Sequence, residues 1–263
     1  MIKPEKVIRV AFPFLAGAML LGCDNPNQGK TLSEASFAKP DSINADTVKP
    51  VISTAFSGKA FPVLFEAAFD SGTTAKQGDM NYAFKIFEIG KIKIESGKII
   101  ACDPVVMRDG IPFTRVFPVG EFPVELAMAK TINDERVAFS RITFSDRDVA
   151  KWEFALQPGQ KPIELKDTAF YCYGVDAGTG IFIDSIANNI FVSRGQAEWE
   201  RVFISGAEDN GYKGYTYNFD GHSLATFSTG YGDGCYATYI GFDETGNICR
   251  LLTDFALVSW WKL

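Results

Sequence analysis

Two glycine-flanked loops hold the residues best suited to chemistry. One is Tyr173-Gly174-Val175-Asp176-Ala177-Gly178-Thr179-Gly180; the other is Gly230-Tyr231-Gly232-Asp233-Gly234-Cys235-Tyr236. Each places a short carboxylate, Asp176 or Asp233, on a backbone that glycine frees to approach a ligand closely. Thr179 and Tyr236 belong to the same loops and complete their polar lining. If the loops converge, Asp176 and Asp233 with Asp254 could form an acid/base pair or hold a hard cation. Their spacing matches no EF-hand loop, and no metal site is expected. The plainer account is that both loop aspartates satisfy turn amides, a common use of Asp.

Arg136, in Asp134-Glu135-Arg136, could clamp an anion through its planar guanidinium. A surface ion pair at a strand start explains such a triplet equally simply. The chain has one histidine, His222, in Asp220-Gly221-His222-Ser223. A single histidine excludes a His-rich metal centre, and the absence of Gly-x-Ser-x-Gly leaves a triad without its nucleophile elbow. The Asp-Gly context makes His222 a turn residue. Neither a phosphate-cradling loop nor a dinucleotide fingerprint is present, so no cofactor is expected. Tyr212, Tyr215, Tyr217, Tyr231, Tyr236 and Tyr239 crowd one glycine-rich region. Tyrosine and glycine together make adaptable contact surfaces, though strands also favour tyrosine for ordinary packing.

Strand patterns must position these residues. Lys91-Ile92-Lys93-Ile94-Glu95 alternates strictly, Ser96-Gly97 supplies a turn, and 98–102 returns, so 91–102 reads as a hairpin. Further strands are expected at 82–89, 124–129, 135–144, 151–156 and 168–175. From Ile183 the period becomes helical through Ile186, Ala187, Ile190 and Phe191, with Asp184 as cap. A second helical stretch covers 196–203. Strands resume at 215–219, 223–228, 236–242 and 248–259. Strands, a helical pair around 184–205, then strands again predict an α+β fold built on a mostly antiparallel sheet.

The 263 residues carry 26 basic and 32 acidic side chains. Without Lys3, Lys6, Arg9 and Glu5 these become 23 and 31, a formal charge of −8. No basic cluster exists, so nucleic acid is excluded as a partner class. Besides Cys23 the cysteines are Cys102, Cys172, Cys235 and Cys249, which allow three pairings. Asp243-Glu244-Thr245-Gly246 reads as a hairpin turn that sets Cys249 opposite Ile240. Cys235 then lies five residues away, about 17 Å at ~3.4 Å per residue. A disulfide needs Cα atoms within about 7 Å, so Cys235 and Cys249 should not bond.

The N-terminus sets the address. Lys3, Lys6 and Arg9 precede an apolar run of about twelve residues, short of the ~20 that span a bilayer. Leu20-Leu21-Gly22-Cys23 resembles the lipobox of bacterial lipoproteins. The resemblance implies that residues 1–22 are a removed signal peptide and that Cys23 carries the lipid, the membrane anchor. Asp24 resembles a signal for retention in the inner membrane, facing the periplasm. Residues 23–50 are polar with three prolines and read as a linker, its reach roughly 30 Å if flexible. Residues 51–263 make a single globular domain.

Seven stretches together resemble the bacterial family called domain of unknown function 4241. They are Ala101-Cys102-Asp103-Pro104, Gly120-Glu121-Phe122-Pro123-Val124, Asp134-Glu135-Arg136-Val137-Ala138 and Trp152-Glu153-Phe154-Ala155. The rest are Tyr173 to Gly180, Gly230 to Tyr236, and Leu252-Thr253-Asp254-Phe255. The resemblance implies one domain and no mechanism. It places other residue types at Cys172 and Cys235, against a disulfide common to the family. The expected function is a lipid-anchored cell-envelope binding module, of immunity type if its partner is a toxic protein; its ligand, protein or small molecule, is not specified by the sequence. The alternative is a small hydrolase using Asp176 and Asp233.

Overall fold

The structure of the chain, a computed structural model, describes residues 60–166 and 170–262. The expected signal segment, Cys23, Asp24 and the linker lie outside the described residues, as do positions 168–169 of the expected strand at 168–175. The first strands are β1 (Thr74–Gln77), β2 (Met80–Ile94), β3 (Ile99–Cys102), β4 (Gly120–Lys130), β5 (Glu135–Thr143) and β6 (Lys151–Phe154). After them come β7 (Tyr173–Val175), β8 (Thr179–Asp184), β9 (Gly214–Phe219), β10 (His222–Ser228), β11 (Gly234–Phe242) and β12 (Ile248–Asp254). They form an eight-stranded sheet, β1-β2-β4-β5-β12-β11-β6 with β7 on the other half of β11, and a four-stranded sheet, β3-β8-β10-β9. The pairings are antiparallel, as expected for the α+β class.

Alternation dictates the layers. Ile92, Leu126, Ile142 and Leu251 of the larger sheet meet Ala101, Phe182, Ala225 and Phe227 of the smaller in the central core. The larger sheet's other face, with Phe84, Phe139, Tyr239 and Leu252, is covered by α1 (Leu64–Ala67) and by Leu257, Val258 and Trp260. Glu66 of α1 lies between Arg141 and Arg250, 3.2 Å from each, and Arg141 stacks over Phe69 at 3.8 Å. That buried ion network fixes the short helix to the sheet.

Helices cover the smaller sheet's outer face. α2 (Ser185–Ser193) starts where Asp184 accepts the Ile186 amide at 2.9 Å, the expected N-cap. α3 (Gln196–Glu200) runs into a π-helical turn, Arg201–Gly206, with the Trp199 and Phe203 rings 5.4 Å apart. Phe191, Val202 and Phe203 pack on Ile100, Ile181, Ile183 and Leu224. A fully buried side chain such as Phe191 contributes about 1.5–3 kcal/mol. No helix among the described residues is long and apolar enough to cross a membrane.

Four expectations are corrected. The 91–102 segment is no hairpin: β2 pairs with β4 and β3 pairs with β8, so the chain changes sheets there. Asp184 Oδ2 fixes the crossing by accepting the amides of Glu95 at 3.1 Å and Ser96 at 2.9 Å. Ile183 belongs to β8 rather than a helix, because that strand is buried on both faces and lacks the alternation that marks a half-exposed strand. β12 stops at Asp254, short of position 259, where Asp254 Oδ1 accepts the Ala256 amide and Ala256 takes φ +54°. Cys249 does not face Ile240: a bulge pairs Phe242 with Ile248 and Gly241 with Arg250, and Cys249 lies within it. The hairpin turn itself forms as expected, with Asp243 Oδ1 accepting the Thr245 and Asn247 amides at 2.9 Å.

Candidate functional site

The two glycine-flanked loops meet at one end of the sandwich. β7 pairs with β11 so that Val175 faces Gly234, which carries 176–178 and 229–233 to the same rim. The Thr229 amide donates to Gly178 O at 3.1 Å. Gly178 at φ +59° and Gly232 at φ +107° pass so closely that a Cβ on Gly178 would lie 3.5 Å from the Gly232 Cα. Left-handed backbone at both crossing points needs glycine.

Inward bonds hold the rim. Asp103 is 2 % exposed; its Oδ2 accepts the amides of Asp176 and Ala177, both at 2.8 Å. Its Oδ1 accepts the Val105 amide at 2.7 Å and caps the 3-10 helix Pro104–Asp109. Tyr236 is buried, and its hydroxyl lies 2.7 Å from Gly232 O and 3.2 Å from Thr229 O, inside the second loop. Arg136 donates to Gly230 O at 3.2 Å, pairs with Asp134, and lies under the Tyr231 ring at 4.9 Å. A disulfide between Cys172 and Cys235, Cα atoms 5.4 Å apart, ties the approach to β7 onto β11. Cys102 and Cys249 are free and buried; burial pushes the Cys102 thiol up to about 12, which removes it as a nucleophile.

The sequence candidates therefore divide. Asp176 and Asp233 share the rim, exposed, and Tyr231 beside them is 62 % exposed. Thr179 is half-buried there and donates to Ala177 O at 3.2 Å. Tyr236 and Arg136 fix the second loop. Asp254 is placed elsewhere: its Oδ2 accepts Trp260 Nε1 at 2.7 Å among the aromatic residues beneath α1. Burial pushes Asp254 up to about 7, partly offset by its bonds to the Ala256 amide and the Trp260 indole. No group of acidic, histidine or cysteine residues suited to a metal occurs among the described residues.

His222 opens β10 and bonds through Nδ1 to Glu95, which Lys93 also pairs at 3.1 Å. The crowded tyrosines do not share a face. Tyr215 and Tyr217 bond to Val202 O and Glu198 under the helices, and Tyr239 lies in the core on the far side of the larger sheet. Asp103 was missed as a site residue. Its signal is Asp before Pro at a helix start, since Pro suits the first helical position and Asp the cap.

Five of the seven stretches that carry the family resemblance meet here, through Asp103, Arg136, Asp176, the 230–236 loop and Phe255, whose ring lies 5.2 Å from that of Tyr236. The model of the family described as protein of unknown function (DUF4241) matches residues 92–253, more than half of the chain, and the chain belongs to that family. Neither a curated protein nor a solved structure matches it.

Proposed function

We propose that this member of the DUF4241 family is a lipid-anchored binding module of the cell envelope. Its rim loops, 176–179 and 230–234, capture a protein partner, as an immunity protein captures a toxin. One observation carries this reading: the backbones of the two loops are tied to Asp103, Tyr236, Arg136 and Thr229, with one further bond from Thr179 to Ala177 O inside the first loop, while Asp176, Asp233 and Tyr231 face solvent. A surface fixed before binding loses little freedom on association. The lipobox at Cys23 and the aspartate at position 24 support tethering on the periplasmic face of the inner membrane.

The hydrolase alternative has weaker support. General acid/base work by paired carboxylates needs them sheltered around a substrate pocket. Asp176 and Asp233 are exposed instead, and the groove described below contains neither.

Position-specific photo-crosslinking in the intact envelope tests the proposal. A crosslinker at Asp233 should give one discrete adduct. The same group at Glu244, exposed in the turn at the opposite end of β11, should give none. Equal adducts at both positions, or none at Asp233, would refute the rim as the binding face.

A further inference from the structure

A second concave surface lies outside the rim, between the 3-10 helix Pro104–Asp109 and the corner joining α2 to α3. It is a groove of about 240 Å³. Val105, Met107, Phe191, Val192 and Trp199 form its apolar walls, and Arg108 and Gln196 supply its polar side chains. The walls are fixed without a ligand: Trp199 Nε1 donates to Pro104 O at 2.9 Å, and Asn188 Nδ2 donates to Met107 O at 3.0 Å. Val105, on the groove, is 61 % exposed.

The lining selects its occupant by charge, shape and size. It holds one guanidinium and no carboxylate, and Arg108 makes no ion pair among the described residues. An anionic group therefore gains a charge-assisted partner, while a cation finds none. The indole of Trp199, the ring of Phe191 and the thioether of Met107 favour an aromatic body through edge-to-face and sulfur contacts. An apolar cavity of roughly 150 Å³ accepts benzene, so this groove has room for a phenyl ring with a short arm. We infer that it binds a small aryl carboxylate, the ring against Trp199 and the carboxylate on Arg108. None of the rim residues lines it, so the site stands or falls independently of partner capture.

The test uses the full-length chain, with phenylacetate, phenylacetamide and benzylamine as probes and the four tryptophan indole N–H signals as readout. The Trp199 signal is assigned by Trp199→Phe, and the other three signals check the fold of each variant. Phenylacetate should shift the Trp199 signal saturably and bind at least tenfold more tightly than phenylacetamide, with benzylamine weakest. Arg108→Gln should bring the acid and the amide to equal affinity, and Val105→Glu should abolish binding of both. The inference is overturned by the absence of a saturable shift, by equal affinity for all three probes, or by an acid preference that survives in Arg108→Gln. A peptide ending in phenylalanine that displaces phenylacetate at less than a tenth of its concentration would also overturn it, by making the occupant a protein terminus.

Discussion

The buried carboxylate of Asp103 accepts the backbone amide of Asp176 at 2.8 Å, while the carboxylate of Asp176 itself stands in solvent. Two aspartates that look alike in sequence thus have opposite duties. Removing the acceptor leaves the amides of Val105, Asp176 and Ala177 short of a partner in a part-buried site. Asp103→Ala should therefore cost roughly 1–2 kcal/mol in denaturant unfolding, the upper range for loss of a helix cap. Asp176→Asn and Asp233→Asn should stay within about 0.5 kcal/mol, as exposed substitutions do. Equal losses from Asp103→Ala and Asp176→Asn would contradict this division.

Asp254 makes the fold sensitive to pH. Its folded value of about 7 lies above the unfolded value of about 3.9. Between these the native state binds more protons than the unfolded chain, so stability from this residue is complete below pH ~4 and is lost as pH rises through about 7. Melting curves from pH 4 to 8 should show wild type declining relative to Asp254→Asn across that window. A difference independent of pH would rule out the buried, protonatable acid.

The Cys172–Cys235 bridge closes a loop with a sequence separation of 63. Native disulfides of this kind contribute roughly 2–4 kcal/mol. Cys172→Ser with Cys235→Ser should lower stability by that order and raise amide exchange in β7, whose three residues pair with β11 alone among the described strands. The 176–177 amides should keep protection, because Asp103 holds them independently. Hydrogen exchange resolved by segment checks this, and simultaneous loss at both places would show the rim to depend on the bridge instead.

Anchoring is tested by fractionation. Cys23→Ser should leave an unlipidated precursor that a high-salt wash removes from membranes. Persistence on membranes would defeat the lipobox reading, and native protein in outer-membrane fractions would defeat retention through Asp24.

Local chemistry was legible in the sequence and long-range pairing was not. The Asp184 cap, the Asp243 turn and the alternation at Lys91–Ile94 depend on neighbours within a few positions, and each formed. The hairpin at 91–102 failed because its return strand finds a better partner in β8, which no local pattern announces. β8 itself was hidden by burial on both faces. At the rim, the glycines and aspartates marked the loops, and β7 along β11 brought them together. Asp254 shares their composition but not their place, because its side chain points to the opposite face of the sheet, toward Trp260. Asp103 was overlooked because a carboxylate serving distant amides looks, in sequence, like a simple helix cap.

The change of sheets between β2 and β3 has a consequence for synthesis. Ile99–Cys102 is four buried residues in a row, and its strand partner β8 is made only after β4 to β7 have left the ribosome. A nascent chain shorter than Asp184 therefore carries an apolar strand with nothing to pair against. Non-local pairing of this sort slows folding and prolongs exposure of sticky edges. The strand order postpones closure of the smaller sheet until most of the chain has emerged, a delay that would suit the export proposed above.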